Sequence, residues 1–174
     1  MKNIINIAVV GLGQVGIYLL NELNTKKKDI ELKTGKKINV VAISARNINK
    51  KRQFKINKKI FFKNPLDIFS KTNIDILFEA IGLSDGISKK VIETALKKKI
   101  HVITPNKALI SKHGNELAKI AELNNVNLEF EASVAGGIPI LRSIKEGLAT
   151  NKISKVYGIL NGTSNYILSE MENS

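Results

Sequence analysis

The chain has 174 residues, 43% of them hydrophobic, which is enough to bury the core of one ordinary domain and part of a second. Lysine and arginine number 28 against 15 acidic residues, for a formal net charge of +13. No apolar run has membrane-spanning length, and the first residues lack the pattern of a secretory signal. The sequence contains no cysteine, which excludes a thiol nucleophile and a thiolate metal site. These features fit a protein of the cytoplasm.

Strand and helix patterns alternate from the N-terminus. Residues 4–10 form a near-continuous apolar run, which predicts a strand buried on both faces of a parallel sheet. Apolar residues at helical spacing then predict a helix from about Gln14. Residues 24–37 are a polar interruption, and Gly35 is expected to turn the chain towards the next strand. Further strands are expected within residues 36–46, 71–82 and 100–103, with an amphipathic helix over 84–99 and Pro105 ending the last strand.

The alternation continues in the second half of the chain. The expected elements are a helix from about Gly114 to Leu123, a strand over 126–133, a helix over 136–149, a strand over 153–160, and a turn or helix start at 161–171. Strands that alternate with helices, joined by connections long enough for crossovers, predict an α/β fold with a parallel sheet.

Three glycines follow the first predicted strand at the spacing of a dinucleotide-binding loop. Gly11 suits a tight turn, Gly13 a close backbone approach to a pyrophosphate, and Gly16 close packing of helix on strand. The strand before them and the helix after them are the context that this motif requires, although glycines also serve turns for structural reasons alone. We therefore predict a Rossmann-type doubly wound sheet that binds a dinucleotide, with Gln14 and Val15 in the same loop.

The end of the second predicted strand indicates which dinucleotide. An NAD site is expected to carry an acidic residue there, whereas this chain has Arg46, followed by Lys50, Lys51 and Arg52. An arginine pairs with a 2′-phosphate that an acidic residue would repel. The sequence therefore favours NADP(H) over NAD(H), unless Arg46 merely belongs to a basic surface.

The basic charge itself has two interpretations. A net charge of +13 is compatible with a nucleic-acid binder. The lysines, however, form short scattered runs without interleaved aromatic residues that would stack on bases. We therefore interpret them as a solvated surface and expect no nucleic-acid partner and no membrane partner. The two histidines, His101 in a strand and His113 in a predicted loop, show no triad or zinc spacing.

Six segments in order make the chain resemble the homoserine dehydrogenase family over essentially its whole length. These are "VVGLGQVG", "LKTGKKINVVAISARN", "IDILFEAIG", "HVITPNKALI", "EFEASVAGGIPILRSI" and "YGILNGTSNYIL". The resemblance implies NADPH-dependent, reversible reduction of L-aspartate 4-semialdehyde to L-homoserine, on the route to threonine, isoleucine and methionine. It also implies a homodimer for the full-length protein.

The resemblance assigns roles to individual residues. Lys107 matches a family lysine beside the nicotinamide and the substrate, where an ammonium could steady a developing alkoxide. Ile81 and Gly82 match backbone positions on the nicotinamide side. A monovalent, sodium-like cation site bound mainly by carbonyls is implied at Glu131, Val134, Gly136 and Ile138. Without the resemblance, Glu131 could equally meet the N-terminus of a following helix. The segment 161–164 matches a turn of the substrate domain, although it also suits an ordinary turn.

The resemblance divides the chain into a cofactor domain at 1–133 and the start of an α+β substrate and dimerisation domain at 134–174. In the family, the acidic substrate ligands and the proton-donor lysine lie after the segment that matches residues 161–168. We therefore expect this chain to bind NADPH but to turn over poorly or not at all. A non-catalytic NADPH-binding module and a basic nucleic-acid binder stay open as alternatives. A further candidate, aspartate-semialdehyde dehydrogenase, acts on the same aldehyde but needs a thiolate nucleophile. Because these residues contain no cysteine, that activity is excluded for them.

Overall fold

The computed structural model describes residues 3–52, 55–158 and 161–173. Its centre is a six-stranded sheet in which every neighbouring pair is parallel, in the order β3-β2-β1-β4-β5-β6. The strands are β1 (Ile4–Val10), β2 (Lys37–Ser44), β3 (Phe61–Phe62), β4 (Ile76–Glu79), β5 (His101–Ile103) and β6 (Leu128–Glu129). This order is that of a doubly wound dinucleotide-binding fold, so the predicted Rossmann-type α/β class is confirmed.

Helices connect the strands and continue after the sheet. The α-helices are α1 (Gln14–Thr25), α2 (Lys27–Thr34), α3 (Ile68–Lys71), α4 (Ile87–Lys97), α5 (Lys107–Leu123), α6 (Glu131–Val134), α7 (Ile140–Arg142) and α8 (Gly162–Asn173). Short 3₁₀ turns at Lys58–Ile60 and Pro65–Asp67 flank β3, and a π-helical turn at Ser143–Gly147 continues α7.

The core has two parts, one on each face of the sheet. On one face, Leu77 and Val102 pack with residues of α4 and α5 such as Ile92 and Leu117, all fully buried. On the other face, Ile7, Val9 and Ile43 pack with Leu12 and with Leu20 of α1. A parallel strand covered on both faces is apolar at successive positions, which explains the uninterrupted run in β1.

In two stretches of the first two thirds of the chain, 24–37 and 107–123, the helices of the structure differ from the expectation. The polar stretch 24–37 contains α2, which has no buried residue and was therefore invisible to a test of apolar periodicity. Gly35 ends α2 with φ of +66°, so its predicted turning role is confirmed. Helix α5 begins at Lys107 instead of Gly114, because the Asn106 side chain accepts the Leu109 N–H and caps the helix. His113 consequently lies on α5 and not in a loop.

The C-terminal third departs further from the expected elements. The strand expected over 126–133 is only Leu128–Glu129, and α6 begins at Glu131. The helix expected over 136–149 is reduced to α7 and its π-helical turn. Residues 153–158 are exposed and form no strand, and the expected positions 159 and 160 lie outside the described residues. Within the described ranges, no helix combines the length and apolarity needed to cross a membrane.

Candidate functional site

The candidate site lies where the carboxyl ends of β1 and β4 meet. The strand order reverses between these two strands, which is where open α/β sheets bind ligands. The loop after β1 is hydrogen bonded to both neighbours: the Gly11 N–H donates to the Ser44 carbonyl at 2.9 Å, and the Ala80 N–H donates to the Val10 carbonyl at 2.7 Å. The loops that follow β1, β2 and β4 therefore share one edge of the sheet.

The three glycines of this loop have three different surroundings. Gly11 has φ of +98°, and a Cβ there would overlap the Ala80 carbonyl and lie 2.7 Å from the Ile81 nitrogen. A Cβ at Gly16 would overlap the carbonyl oxygen of Gly11. A Cβ at Gly13 would meet no described atom within 4 Å. Two glycines are thus required by the packing of the protein itself, and the third keeps an open surface beside the helix.

Helix α1 presents a free N-terminus at this open surface. Gly13 is its N-cap and has no side chain, and among the described residues no side chain bonds the N–H groups of the first turn, where Gln14 and Val15 lie. Both residues are exposed and line an open cleft of about 640 Å³. Lys50 and Lys51 line the same cleft. Unpaired N–H groups at a positive helix end, together with two ammonium groups, suit a phosphate-bearing ligand.

The two arginines after β2 differ in exposure and in their hydrogen bonds. Arg46 is exposed and lies two residues beyond the end of β2. Arg52 is partly buried, and its guanidinium donates to four backbone carbonyls: Leu12 at 3.2 Å, Asn47 at 2.7 Å, Ile48 at 3.3 Å and Lys50 at 2.9 Å. Arg52 therefore fastens the segment 47–52 to the glycine loop, a role that its position in a basic run did not indicate.

Ile81, Gly82 and Lys107 lie along the same edge on the β4 and β5 side. Gly82 is exposed with φ of +86°. Lys107 is the exposed first residue of α5, four residues beyond the end of β5. A cation at a helix N-terminus faces the positive end of the helix dipole, so helix stability does not explain a lysine at this position. Its ammonium is available to a ligand at the edge of the sheet.

A buried polar network joins these two loops, and sequence reasoning missed it. Glu79, Thr104 and Asn106 have relative exposures of 0%, 1% and 6%. The carboxyl oxygens of Glu79 accept the Ile81 N–H at 2.8 Å and the Thr104 hydroxyl at 2.7 Å. The Asn106 side chain donates to the Leu83 carbonyl at 2.9 Å. One available signal was an acidic residue inside an otherwise apolar strand pattern.

An exposed ionic cluster supports the loop after β4 from outside. The Asp85 carboxylate accepts hydrogen bonds from Lys112 at 2.7 Å, from His113 at 2.8 Å and from Ser84 at 2.8 Å. These bonds, led by the one from Lys112, hold the pKa of the Asp85 carboxyl well below its usual range. Glu116, bonded to Lys89 at 2.8 Å, likewise has a lowered pKa. The cluster ties the segment 84–86 to α5.

The four residues expected at a cation site lie together in one segment, 131–138. Both carboxylate oxygens of Glu131 accept backbone N–H groups, from Leu141 and Arg142 at 2.9 Å each, so the alternative contact with a following helix N-terminus is present. The Ile138 carbonyl accepts one N–H at 2.8 Å. Among the described residues, no N–H donates to the carbonyls of Val134 and Gly136. The described residues contain no cluster of three His, Asp or Glu that could hold a metal ion.

The segment 161–164 begins α8. The Asn161 side chain accepts the Ser164 N–H at 2.9 Å, which is an N-cap, and the described residues of α8 are all exposed. The local geometry of this segment is therefore that of an ordinary helix start.

The strand order, the open glycine surface at a free helix N-terminus and the basic residues after β2 define a nicotinamide-dinucleotide-binding Rossmann domain. The family model described as "Homoserine dehydrogenase, NAD binding domain" matches residues 11–131, and the model "Homoserine dehydrogenase" matches residues 139–174. The chain belongs to the homoserine dehydrogenase family.

Individual relatives agree with the family models. The chain is 39% identical over 167 residues to homoserine dehydrogenase of Neisseria gonorrhoeae and 35% identical to that of Bacillus subtilis, covering 96% of this chain and 38% of each relative. Among solved structures, a homoserine dehydrogenase from Thiobacillus denitrificans is similar with a TM-score of 0.81 at 37% identity, covering 98% of this chain and 39% of that one. A homoserine dehydrogenase structure from S. aureus has a TM-score of 0.78 at 38% identity, and the match covers 100% of this chain and 41% of that one. The chain thus spans about two fifths of the length of these relatives.

Proposed function

We propose that the protein to which this chain belongs is a homoserine dehydrogenase that reduces L-aspartate 4-semialdehyde reversibly to L-homoserine with NADPH. The observation that carries the proposal is the family match over residues 11–131, which begins at the glycine loop and ends at Glu131. In the reduction, a C–H bond forms at the aldehyde carbon and the carbonyl oxygen takes up a proton. NADPH supplies the hydride when bound.

The residues of the glycine loop and of the segment after β2 suit binding of the dinucleotide. Gly13 leaves room for a pyrophosphate, while Gln14, Val15 and Gly16 carry first-turn N–H groups of α1 that can donate to its oxygens. Gly11 and Gly16 keep the turn closed around this position. We propose NADP(H) over NAD(H) because Arg46 is exposed just beyond β2, where a guanidinium can pair with a 2′-phosphate.

The residues of the loop after β4 and of the first turn of α5 suit the chemistry. We propose that the backbone of Ile81 and Gly82 lines the nicotinamide side and that Lys107 contacts the substrate. Its ammonium is positioned to stabilise negative charge that develops on the aldehyde oxygen during reduction. The exposure of Lys107 at the N-terminus of α5 supports this role, since no acidic partner is recorded for it among the described residues.

We propose that the segment 131–138 holds a monovalent, sodium-like cation. The carbonyls of Val134 and Gly136, which accept no hydrogen bond from the described residues, support this, because a hard cation prefers oxygen ligands and glycine allows carbonyls to converge. Glu131 would contribute negative charge through the remaining lone pairs of its carboxylate, and Ile138 a carbonyl. The cation would brace this segment and take no part in the reaction.

We propose further that residues 1–133 form the cofactor domain and residues 134–174 begin an α+β substrate and dimerisation domain. The ends of the two family matches, at residue 131 and residue 139, support this division. We place the enzyme in the cytoplasm, as a homodimer in its full-length form, in the synthesis of threonine, methionine and isoleucine. A cysteine-free sequence is suited to a reducing compartment.

A fluorescence titration of the protein with NADPH and, in parallel, NADH tests the proposal. We expect saturation with both and a preference for NADPH. Arg46→Ala should remove most of that preference, weakening NADPH binding by about 10- to 100-fold while leaving NADH binding unchanged, since a hydrogen-bonded charge pair contributes about 1.5–3 kcal/mol. Lys63→Ala, which removes an exposed cation beyond β3, is the matched control.

Absence of saturation with either nucleotide would contradict the proposed cofactor site. An Arg46→Ala variant with an unchanged preference would contradict the role of Arg46 alone. The same samples, given homoserine and NADP⁺, report on turnover. Reduction of NADP⁺ would support activity of the chain itself, and nucleotide binding without turnover would favour the non-catalytic module for this chain.

A further inference from the structure

The buried network at the ends of β4 and β5 runs between the two loops proposed to face the nicotinamide and the substrate. It begins at the Ile81 N–H, passes through both carboxyl oxygens of Glu79 to the Thr104 hydroxyl, and reaches the Asn106 N–H, which donates to Thr104 Oγ1 at 3.1 Å. Asn106 then binds the Leu83 carbonyl with its amide nitrogen and caps α5 with its amide oxygen. The loop after β4 is thus held at two points.

A glutamate is the side chain that this arrangement requires. Two donors, the Ile81 N–H and the Thr104 hydroxyl, reach Glu79 from different directions, and each needs its own acceptor. A carboxyl group provides two acceptor oxygens, whereas a glutamine amide provides only one. The site is closed to solvent, so water cannot replace a lost acceptor, and a donor without a partner in such a place is expensive.

The strands of the sheet are already paired by backbone bonds and its faces are covered by apolar side chains, whereas the network joins the segments that follow β4 and β5. Its end points are the backbone of the loop after β4, at Ile81 and Leu83, and the first turn of α5, where Lys107 lies. We propose that Glu79 is a positioning residue that fixes the nicotinamide-side loop relative to Lys107 through Thr104 and Asn106. This inference rests on the proposed function, and it adds a residue that contacts neither cofactor nor substrate.

The consequence is a division of the binding site into two halves, which meet at the backbone bond from the Ala80 N–H to the Val10 carbonyl. The adenosine half uses the glycine loop, α1 and the segment after β2, none of which is bonded to Thr104 or Asn106. Loss of the Glu79 network should therefore loosen only the nicotinamide half. A defect that merely weakened the whole fold would instead affect both halves equally.

The experiment compares two ligands on the same variants. NADPH occupies both halves of the site, and adenosine 2′,5′-bisphosphate occupies the adenosine half alone. The variants are Glu79→Gln, Thr104→Val and Thr104→Ser, and the matched control is Ser88→Ala, which removes another fully buried hydroxyl whose oxygen has no hydrogen-bond partner in the described structure. Affinities are measured by NADPH fluorescence and by calorimetry for the bisphosphate, with circular dichroism as a check of folding.

We expect Glu79→Gln and Thr104→Val to weaken NADPH binding by about tenfold, the effect of one buried donor or acceptor left unpaired, with bisphosphate binding unchanged. Thr104→Ser keeps the hydroxyl and should retain most of the wild-type affinity for NADPH. Should Glu79→Gln fail to fold, the two Thr104 variants still decide the question.

Three results would overturn the inference. Equal weakening of both ligands would make the network a general structural feature, and wild-type NADPH affinity in Thr104→Val would show that the network positions nothing. A wild-type protein that bound neither ligand would instead contradict the proposed cofactor site, and the inference would fall with it. A wild-type protein that binds both ligands therefore separates failure of the inference from failure of the proposed function.

Discussion

The glycine loop makes opposite predictions for two neighbouring glycines. Gly13 has φ of −79° and ψ of −164°, a conformation open to any residue, and a Cβ there would meet no described atom within 4 Å. Gly16→Ala would drive a methyl group into the Gly11 carbonyl oxygen and to 3.1 Å from its carbon, so the backbone must move. The first substitution should therefore spare the fold and harm the ligand site, and the second should harm the fold.

The magnitudes follow from these two environments. Overpacking a closed site costs about 1–3 kcal/mol, and we assign Gly16→Ala about 3 kcal/mol because a backbone carbonyl cannot rotate away as a side chain can. For a chain of this size that is a drop of roughly 6–12 °C in Tm. Gly13→Ala should raise the free energy of unfolding by about 0.4–1 kcal/mol because the unfolded chain is less flexible, and lower it by a similar amount because alanine is a poorer N-cap. Its Tm should therefore stay within about 3 °C of wild type.

Differential scanning calorimetry without nucleotide measures the first difference, and an NADPH titration measures the second. Gly13→Ala should weaken NADPH binding by about tenfold or more, since a methyl group would stand where the pyrophosphate approaches the backbone. Two results would refute the reasoning: a Gly13→Ala protein destabilised as much as Gly16→Ala, or one that keeps the wild-type affinity for NADPH.

Two further substitutions test the ionic cluster and the segment after β6. Asp85→Asn should have a lower free energy of unfolding than wild type at about pH 7, because a carboxyl whose pKa is lowered in the folded state stabilises the fold above its unfolded pKa. The difference between the two proteins should shrink steadily below about pH 4 as the carboxylate protonates. Urea unfolding that gave the same difference at every pH would contradict this expectation. For the cation site, sodium chloride at ten times the Kd of the site for sodium should raise the Tm of wild type by about 3–6 °C more than choline chloride does at the same concentration. Glu131→Gln should abolish this excess. Equal effects of the two salts on wild type would exclude a sodium site.

The first part of the fold was predictable because its signals are local. The apolar run of β1, the glycine spacing and the helical periodicity of α1 and α4 each lie within a short window, and each element begins within a few residues of its expected place. The topology followed from the alternation of strands and helices. The exposed helix α2 was missed because its residues are good helix formers without an apolar face, although Gly35 correctly indicated its end.

The elements that were misjudged depend on contacts between distant parts of the chain. The sequence pattern indicates a helix start at Gly114, but Gly114 lies inside α5, because Asn106 sets the N-terminus of this helix and also binds the Leu83 carbonyl. The strand expected at 153–160 had a suitable pattern, but a strand exists only with a neighbour. The Glu79 network links positions 25 residues apart, so no local pattern could indicate that Thr104 is the partner of Glu79.

The four carbonyl bonds of Arg52 bear on any attempt to convert the nucleotide preference of this protein. A designer who neutralised the whole basic run after β2 would also remove the guanidinium that attaches the segment 47–52 to the Leu12 carbonyl. The side chains of Arg46, Lys50 and Lys51 make no such bond among the described residues and are free to be exchanged, since Lys50 binds Arg52 only through its backbone carbonyl. A library for NADH use should therefore vary those three positions and keep Arg52 fixed as part of the scaffold.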